Sequence, residues 1–395
     1  MAGSSRTRPR LLVLGAGPAQ LGLLRAANER GLFVIAVDRE PSAPGFLYAD
    51  KRAVVSNEDE PAVDRLARAE NIDGLISPGA DWPVGIAARI AERLGLSHPI
   101  DGATAALATS KQRQRERLED AGIPQPRLLD VPSAPCVIKA PDRQGQRGLS
   151  VVRREEDLPA AIEAALQASR NGSFIAEELV EGPEVTVNAI SIDGVFHPLT
   201  VTDRLTADPP AFGVALAHAW PSAAVGESVP GTQSPIDVAA RAAEALGIRN
   251  GPTYTQLRLA RDGPKLVELA ARLGGGHDAE LCRLALGADL NGLALDFALG
   301  ETACVPGTQA PISGGACVLF LVAPEGELRA TEGVEEALAL DGIHEVRLYR
   351  EPGHRFGPLR RGADRAGAVL ATGESRDDAL ERARQAAGAI RFVVE

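Results

Sequence analysis

The sequence predicts a chain of mixed α/β and α+β class, folded as several domains. Three observations carry that expectation. The length of 395 residues exceeds what one ordinary core organises. Through about the first hundred residues, apolar strand-like runs alternate with amphipathic helical ones, the pattern of a parallel, doubly wound sheet. Beyond about residue 103 the texture changes to short strands, Asp-Gly turns and long glycine-bearing loops, which reads as antiparallel α+β.

In the first region, "RLLVLGAG" is a buried strand breaking into a glycine turn, "AQLGLLRAANERG" a helix ending at Gly31, and "FVIAVD" the next strand. "DGLISPGAD" and "VGIAARIAERLG" continue the alternation. A charged helix, "TSKQRQRERLEDAG", then leads to the strands "CVIKAP", "LSVVR", "SFIAEELV" and "EVTVNAISIDGVF". From about Ile312 the order is βαββαβ, a ferredoxin-like C-terminal unit running from "ACVLFLVA" to "RFVVE". The expected domains are 1–103, 104–311 with a lid at about 130–182, and 312–395.

Composition narrows the function. Hydrophobic residues make up 45% and charged ones 24%, a globular balance. The net charge of −11 comes from interspersed acids and bases. Without a Lys/Arg stripe or basic–aromatic interleaving, nucleic acid is not the expected partner. No segment is apolar enough to span a membrane. The N-terminal apolar run is too short for a secretory signal and flows into Gly-x-Gly, so a cytoplasmic location is expected. Cys136, Cys282, Cys304 and Cys317 form no CxxC or zinc spacing and are expected to be buried free thiols. A homodimer is the base-rate expectation for assembly.

Four places carry chemistry. "GAGPAQLG" with Asp38 invites a dinucleotide reading, with the acid on a ribose hydroxyl; Pro18 and the displaced Gly22 depart from that fingerprint, and glycines for close helix–strand packing are the alternative. Lys139 closes a β-branched strand before a loop containing Gly145 and Gly148. Such a loop can fold its N–H groups over phosphates while the lysine adds a point charge, or it is an exposed hairpin. Glu177, Glu178, Glu181 and Glu184 crowd a strand end, where they repel unless a ligand or cation uses some of them. In "LVELAARLGGGHDAEL", Glu268 is a hard oxygen ligand for Mg²⁺ and can face Gln256 across a hairpin turned at "RDGP". Arg272 offers a planar fork for a carboxylate or phosphoryl group, and the glycines let backbone approach it. A glycine-rich helix entry beside a structural salt bridge is the competing reading.

Taken in order, Lys111, Lys139 with its glycine loop, "EELVEGPE", and Glu268 with "ELAARLGGGH" resemble the ATP-grasp superfamily across roughly residues 104–305. The preceding α/β unit resembles that family's N-terminal domain. The stretch "AARLGGGHDAELCRLALGADL" and the βαββαβ tail look most like the L-amino acid ligases and related carboxylate–amine ligases. The resemblance implies an ATP-dependent ligase that forms an amide through an acyl phosphate, with small carboxylate and amine substrates and Mg²⁺, or Mn²⁺ in its place. It implies that Lys111 and Lys139 contact phosphates, that Gln144 to Gly148 form the lid, and that Glu177 with the backbone of Glu178 to Val180 holds the adenine edge. Glu184 would take the ribose, Glu268 and Gln256 the metal, and Arg272 the acyl phosphate. Gly275, Gly276 and His277 would lie at the acceptor pocket, or His277 would cap the following helix. Two departures stand out: the family usually has an acid where Gln256 stands and an Asn where Ala270 stands, so Glu181 is a candidate substitute ligand. Asp81, Trp82, Arg204, Phe212, His218 and Trp220 are candidate pocket residues, the last four in a stretch that reads as a substrate-covering loop. A carboxyphosphate-forming enzyme, as in purine-pathway and biotin carboxylases, and a non-catalytic ATP-binding protein are the competing readings.

Overall fold

The computed structural model describes residues 8–208, 211–226, 233–304 and 310–395. A parallel sheet opens the chain, made of β1 (Arg10–Leu14), β2 (Phe33–Asp38), β3 (Lys51–Val54) and β4 (Gly74–Ile76) in the order β3-β2-β1-β4. Because both faces are covered, β1 and β2 are apolar almost throughout. Helices α2 (Glu60–Glu70) and α3 (Asp81–Leu94) supply the core on one face, where Leu12, Ile35, Val63 and Ile90 meet. On the other face α1 (Leu21–Glu29) packs with residues from much later in the chain, among them Cys282 and Leu290. The loops after β1 and β4 open at the carboxyl edge of this sheet, where α/β sheets place ligands.

Helices α4 (Gly102–Ala108) and α5 (Lys111–Asp120) lead into a three-stranded lid sheet of β5 (Cys136–Lys139), β6 (Leu149–Val152) and β7 (Ile175–Glu178), in the order β6-β5-β7. One face of the lid buries Cys136, Ile138 and Val152 against α6 (Leu158–Ala168). The alternating residues Val137, Lys139 and Val151 therefore turn the other way, into a cleft.

The main sheet is antiparallel throughout and eight strands wide. Its members are β8 (Glu184–Ile192), β9 (Val195–Thr206), β10 (Ala215–Trp220), β11 (Gly251–Ala260), β12 (Gly263–Ala270) and β13 (Gly315–Leu321), followed after the short strand β14 (Gly326–Glu332) by β15 (Ile343–Leu348) and, after β16 (Arg355–Phe356), by β17 (Gly367–Gly373). The order is β12-β11-β8-β9-β10-β13-β17-β15. Helix α7 (Pro235–Ala245) covers it beside β11 and β12, and α8 (Asp278–Leu286) and α9 (Leu290–Leu299) bridge it to the N-terminal sheet.

Two features of the C-terminal βαββαβ order differ from the expectation. Its strands β13, β17 and β15 extend the main sheet through β10, and the final strand β18 (Arg391–Val394) leaves them to pair with β14. Helices α10 (Val334–Leu338) and α11 (Arg376–Ala389) keep the expected places. The stretch read as a substrate-covering loop is also mostly sheet: residues up to Thr206 belong to β9 and those from Ala215 to β10, while Pro209 and Pro210 lie outside the described residues. Alanine-rich "ALAHAW" carries little strand propensity, and hydrogen bonding to β9 and β13 on both sides decides its conformation.

Candidate active site

A cleft of about 860 Å³, including its open mouth, lies between the lid and the β11–β12 end of the main sheet. Val137, Leu149 and Val151 form its apolar lid wall and Val267 faces them. The loop Arg143–Arg147 closes one side, with Gly145 and Gly148 at φ +66° and +68°, conformations that favour glycine. Gln144 latches this loop to the N-terminal domain by accepting the Asp81 backbone N–H at 2.5 Å.

The cleft's charged groups are paired with one another. Lys139 Nζ donates to Glu177 Oε2 at 2.5 Å, and Arg115 Nε to Glu177 Oε1 at 2.8 Å. Burial pushes the Glu177 carboxyl up, but Arg115 and Lys139 outweigh it and hold the group near 2. Burial also lowers Lys139, and Glu177 only partly offsets this. Glu177 is thus locked in the floor of the cleft, which Glu178 and Val180 also line. Lys111 donates to Glu268 Oε1 at 2.7 Å. Burial opposes charge on both, yet their attraction prevails, raising Lys111 and lowering Glu268. Glu184 accepts from Arg204 at 2.6 Å and Arg258 at 3.1 Å, and Phe212 lies beneath the Arg258 guanidinium.

Gln256 stands directly opposite Glu268 in the β11–β12 register. Its Nε2 donates to the Tyr254 hydroxyl at 3.2 Å, and its amide oxygen takes no hydrogen bond among the described residues. Ala270 is buried and paired with Tyr254. Glu181 is exposed, meets Arg153 at 3.5 Å, and does not line the cleft that holds Glu268. Among the described residues no group of three or more His, Cys, Asp or Glu could hold a metal. The donor set fits a magnesium ion shared with phosphate oxygens, with Glu268 its one carboxylate and the Gln256 oxygen beside it.

A second cavity, about 1140 Å³ with its mouth, joins the cleft at Gln144, Gly145, Gln146, Arg204, Gln256 and Glu268. Its walls draw on Pro18 to Gln20 after β1, on Gly79 and Asp81, on Gly275 and Gly276, and on Tyr349, Arg350 and Arg365 from the segments between β15 and β17. Arg272 lies at the junction, its Nε on Asp81 Oδ1 at 2.5 Å. Burial lowers Arg272, but Asp81 and Glu268 more than compensate. Arg365 is half-buried, stacked 3.6 Å over the Phe320 ring, and its hydrogen bonds go to the Gly362 and Ala215 carbonyls. No carboxylate pairs with it among the described residues.

Some candidates lie elsewhere. His277 faces away from the cavity, with Nε2 on the Tyr349 hydroxyl and Nδ1 on Arg347, and it occupies the N-cap of α8. Trp82 lies under Arg170, 4.1 Å from ring centroid to guanidinium, outside the second cavity. Trp220 is half-buried on the core side of β10. The Asp38 carboxylate accepts the Ala16 and Glu40 N–H groups and closes the turn after β1. Gly22 packs against Glu280, whose oxygen would lie 1.6 Å from a Cβ there. The packing alternative therefore accounts for that motif. Cys136, Cys282 and Cys317 are buried free thiols, with the last two pushed by burial up to about 12, but Cys304 is exposed. No helix among the described residues is long and apolar enough to cross a membrane.

Comparison with known proteins decides the family. The ATP-grasp domain profile matches residues 132–280, and that of the L-amino acid ligase C-terminal domain 2 matches 319–395. A formate-dependent phosphoribosylglycinamide formyltransferase from Burkholderia vietnamiensis is 31% identical over 98% of this chain and 96% of its own. The chain belongs to the ATP-grasp family of carboxylate–amine ligases. It is an ATP-dependent enzyme that forms a C–N bond, with ATP and Mg²⁺ as its cofactors. An L-amino acid ligase from Bacillus licheniformis has the same fold, with a TM-score of 0.83 at 21% identity, covering 99% of this chain and 100% of that one. The biotin carboxylase domain of the Hydrogenobacter thermophilus 2-oxoglutarate carboxylase, solved with MgADP and bicarbonate, scores 0.80 at 18% identity over 98% and 90%.

Proposed function

We propose that this ATP-grasp enzyme activates a small carboxylate, an amino acid, as an acyl phosphate and transfers it to an amine, releasing ADP and phosphate. The observation that carries the reading is the junction at Glu268, Gln256 and Arg272. There a cleft with a lysine-bearing floor and a glycine loop meets a cavity walled by arginine, tyrosine and backbone N–H groups. A carboxylate at that junction has a cationic fork behind it and the nucleotide cleft in front. Arg365, a half-buried cation without a carboxylate partner among the described residues, favours an anionic substrate on the cavity side. The wall from Tyr349 to Arg365 falls in the segment matched by the L-amino acid ligase profile, which supports an amino acid.

In this mechanism the chain positions charge. Lys139, Lys111 and the Arg143–Arg147 loop hold the phosphates, and Glu268 with the Gln256 oxygen would hold the metal. Magnesium, when bound, neutralises phosphate charge and keeps the transferred group in line. Arg272 holds the carboxylate as it takes the phosphoryl group and then stabilises the tetrahedral adduct formed by the amine. The Gln144 latch keeps the loop over the junction and excludes water, which would hydrolyse the acyl phosphate.

The test is phosphate release from Mg·ATP with the common amino acids, singly and in pairs, with formate and bicarbonate as separate arms. Release that needs a pair, with a product mass equal to the two less water, is the expected result. Release with bicarbonate alone would move the enzyme to carboxyphosphate chemistry, and release with formate to formyl transfer of the kind for which the Burkholderia relative is named.

A further inference from the structure

A chain of polar side chains runs through the layer beneath the second cavity. Asn188 on β8 donates to Thr200 on β9 at 3.2 Å and also bonds the Asp278 carboxylate, at the start of α8. Asp278 takes the Gly276 N–H at 3.1 Å and lies 2.8 Å from Nδ1 of His218 on β10. All four side chains are buried. Buried polar groups of this kind are costly to keep unless each finds its partners. One does not. Nε2 of His218 is buried and has no partner among the described residues, although His218 belongs to the cavity wall.

The glycine run that opens α8 is built around this pair. A Cβ on Gly274 would lie 2.1 Å from Asp278 Oδ2, and one on Gly276 would lie 2.5 Å from Cε1 of His218. Gly276 is itself cavity wall, so the imidazole edge carrying Cε1 and Nδ1 stands behind backbone stripped of side chain, with Nε2 on the ring's other side. An ionised carboxylate only accepts hydrogen bonds, so Nδ1 carries a proton, and in the neutral ring the lone pair is the one on Nε2.

We propose that Nε2 of His218 is the base that takes the proton of the attacking amine. The proposal rests on the acyl-phosphate reading above. The amine nitrogen forms a bond to the acyl carbon, and the carbon–oxygen bond to phosphate breaks with its electron pair leaving on the phosphate. The proton shed by nitrogen passes to Nε2 and then to the departing phosphate, which restores the neutral imidazole. Asp278 balances the transient imidazolium. The other charged or titratable groups facing His218 are Arg204 opposite it on β9, Tyr254 stacked from β11, His277, and Arg365 over the shared Phe320 ring. None of these is a carboxylate, which leaves Asp278 as the carboxylate facing the ring.

The experiment separates the two half-reactions in the full-length enzyme. Hydroxylamine attacks an acyl phosphate without help from a base and reports its formation as a hydroxamate. An amino acid acceptor reports the whole reaction as an amide. His218→Asn keeps a donor toward Asp278 and removes Nε2. The expected result is hydroxamate within about threefold of wild type and amide lower by about a hundredfold or more, recovering as pH rises. Asp278→Asn is expected to show the same split, with about a tenfold loss of amide. Undiminished amide synthesis in His218→Asn would overturn the base assignment alone. Equal loss of hydroxamate and amide in both variants would make the pair structural and overturn it too. No hydroxamate from the wild-type enzyme with any amino acid or formate would overturn the acyl-phosphate reading, and the base with it.

Discussion

The cleft under the lid sheet and the second cavity handle charge in opposite ways. In the cleft each main cation has its acid: Lys139 and Arg115 share Glu177, Lys111 holds Glu268, and Arg204 and Arg258 share Glu184. In the second cavity Arg365 and the free nitrogen of His218 have no such partner among the described residues. A self-paired site keeps its shape without ligand and must break pairs to work. A site with unpaired groups is completed by what it binds.

The comparison can be broken at several points, the largest effect first. Glu268→Ala removes the one carboxylate available to the metal and frees Lys111, so turnover is expected to fall by about a thousandfold or more, measured as phosphate release. Arg272→Ala should cost about 2–4 kcal/mol of transition-state stabilisation, roughly thirty- to a thousandfold in kcat/KM, with nucleotide binding retained in a thermal-shift titration. Glu177→Gln tests the paired floor through stability. It leaves Lys139 and Arg115 buried beside a neutral amide, and a loss of about 3 kcal/mol in denaturant unfolding is expected.

The same floor sets an acid limit. The Glu177 carboxyl is held near 2, below its ordinary 4.5, so its contribution is fully present above the ordinary value. It is lost as pH falls from about 4.5 toward 2, amounting to about 3 kcal/mol over that window. Wild type should lose this increment on acidification and Glu177→Gln should not. The smallest effect belongs to Gln256→Glu. A second carboxylate opposite Glu268 should lower the Mg²⁺ concentration needed for half-maximal turnover by a few fold.

The cleft was far more legible in the sequence than the cavity, for physical reasons. Lys139, the Gly145–Gly148 loop and the Gln256/Glu268 hairpin announce themselves by local residue type and turn chemistry. Arg115 did not, because "KQRQRERLED" has no apolar face to mark which of its charges turn inward. There Gln114 bonds both the N–H and the C=O of Leu269 on the edge strand β12, while Arg115 reaches Glu177. Tyr349, Arg350 and Arg365 reach the cavity from the far end of the chain, and no local pattern links them to Gln20 or Gly79. The glycine run marks the stretch in the sequence but not its neighbour. Its glycines make room for His218 and Asp278, and the histidine expected at the pocket, His277, turns away to Tyr349 and Arg347. The Asp278 carboxylate at the first turn of α8 was the available signal for that pair.

The most direct test follows oxygen from carboxylate to phosphate. With amino acids labelled with ¹⁸O in the carboxylate, Mg·ATP and an amine acceptor, the released phosphate is analysed by mass. Transfer of one ¹⁸O into each phosphate is expected, because the acyl oxygen that accepts the phosphoryl group leaves with it. Unlabelled phosphate formed alongside the amide would contradict the acyl-phosphate account at its centre.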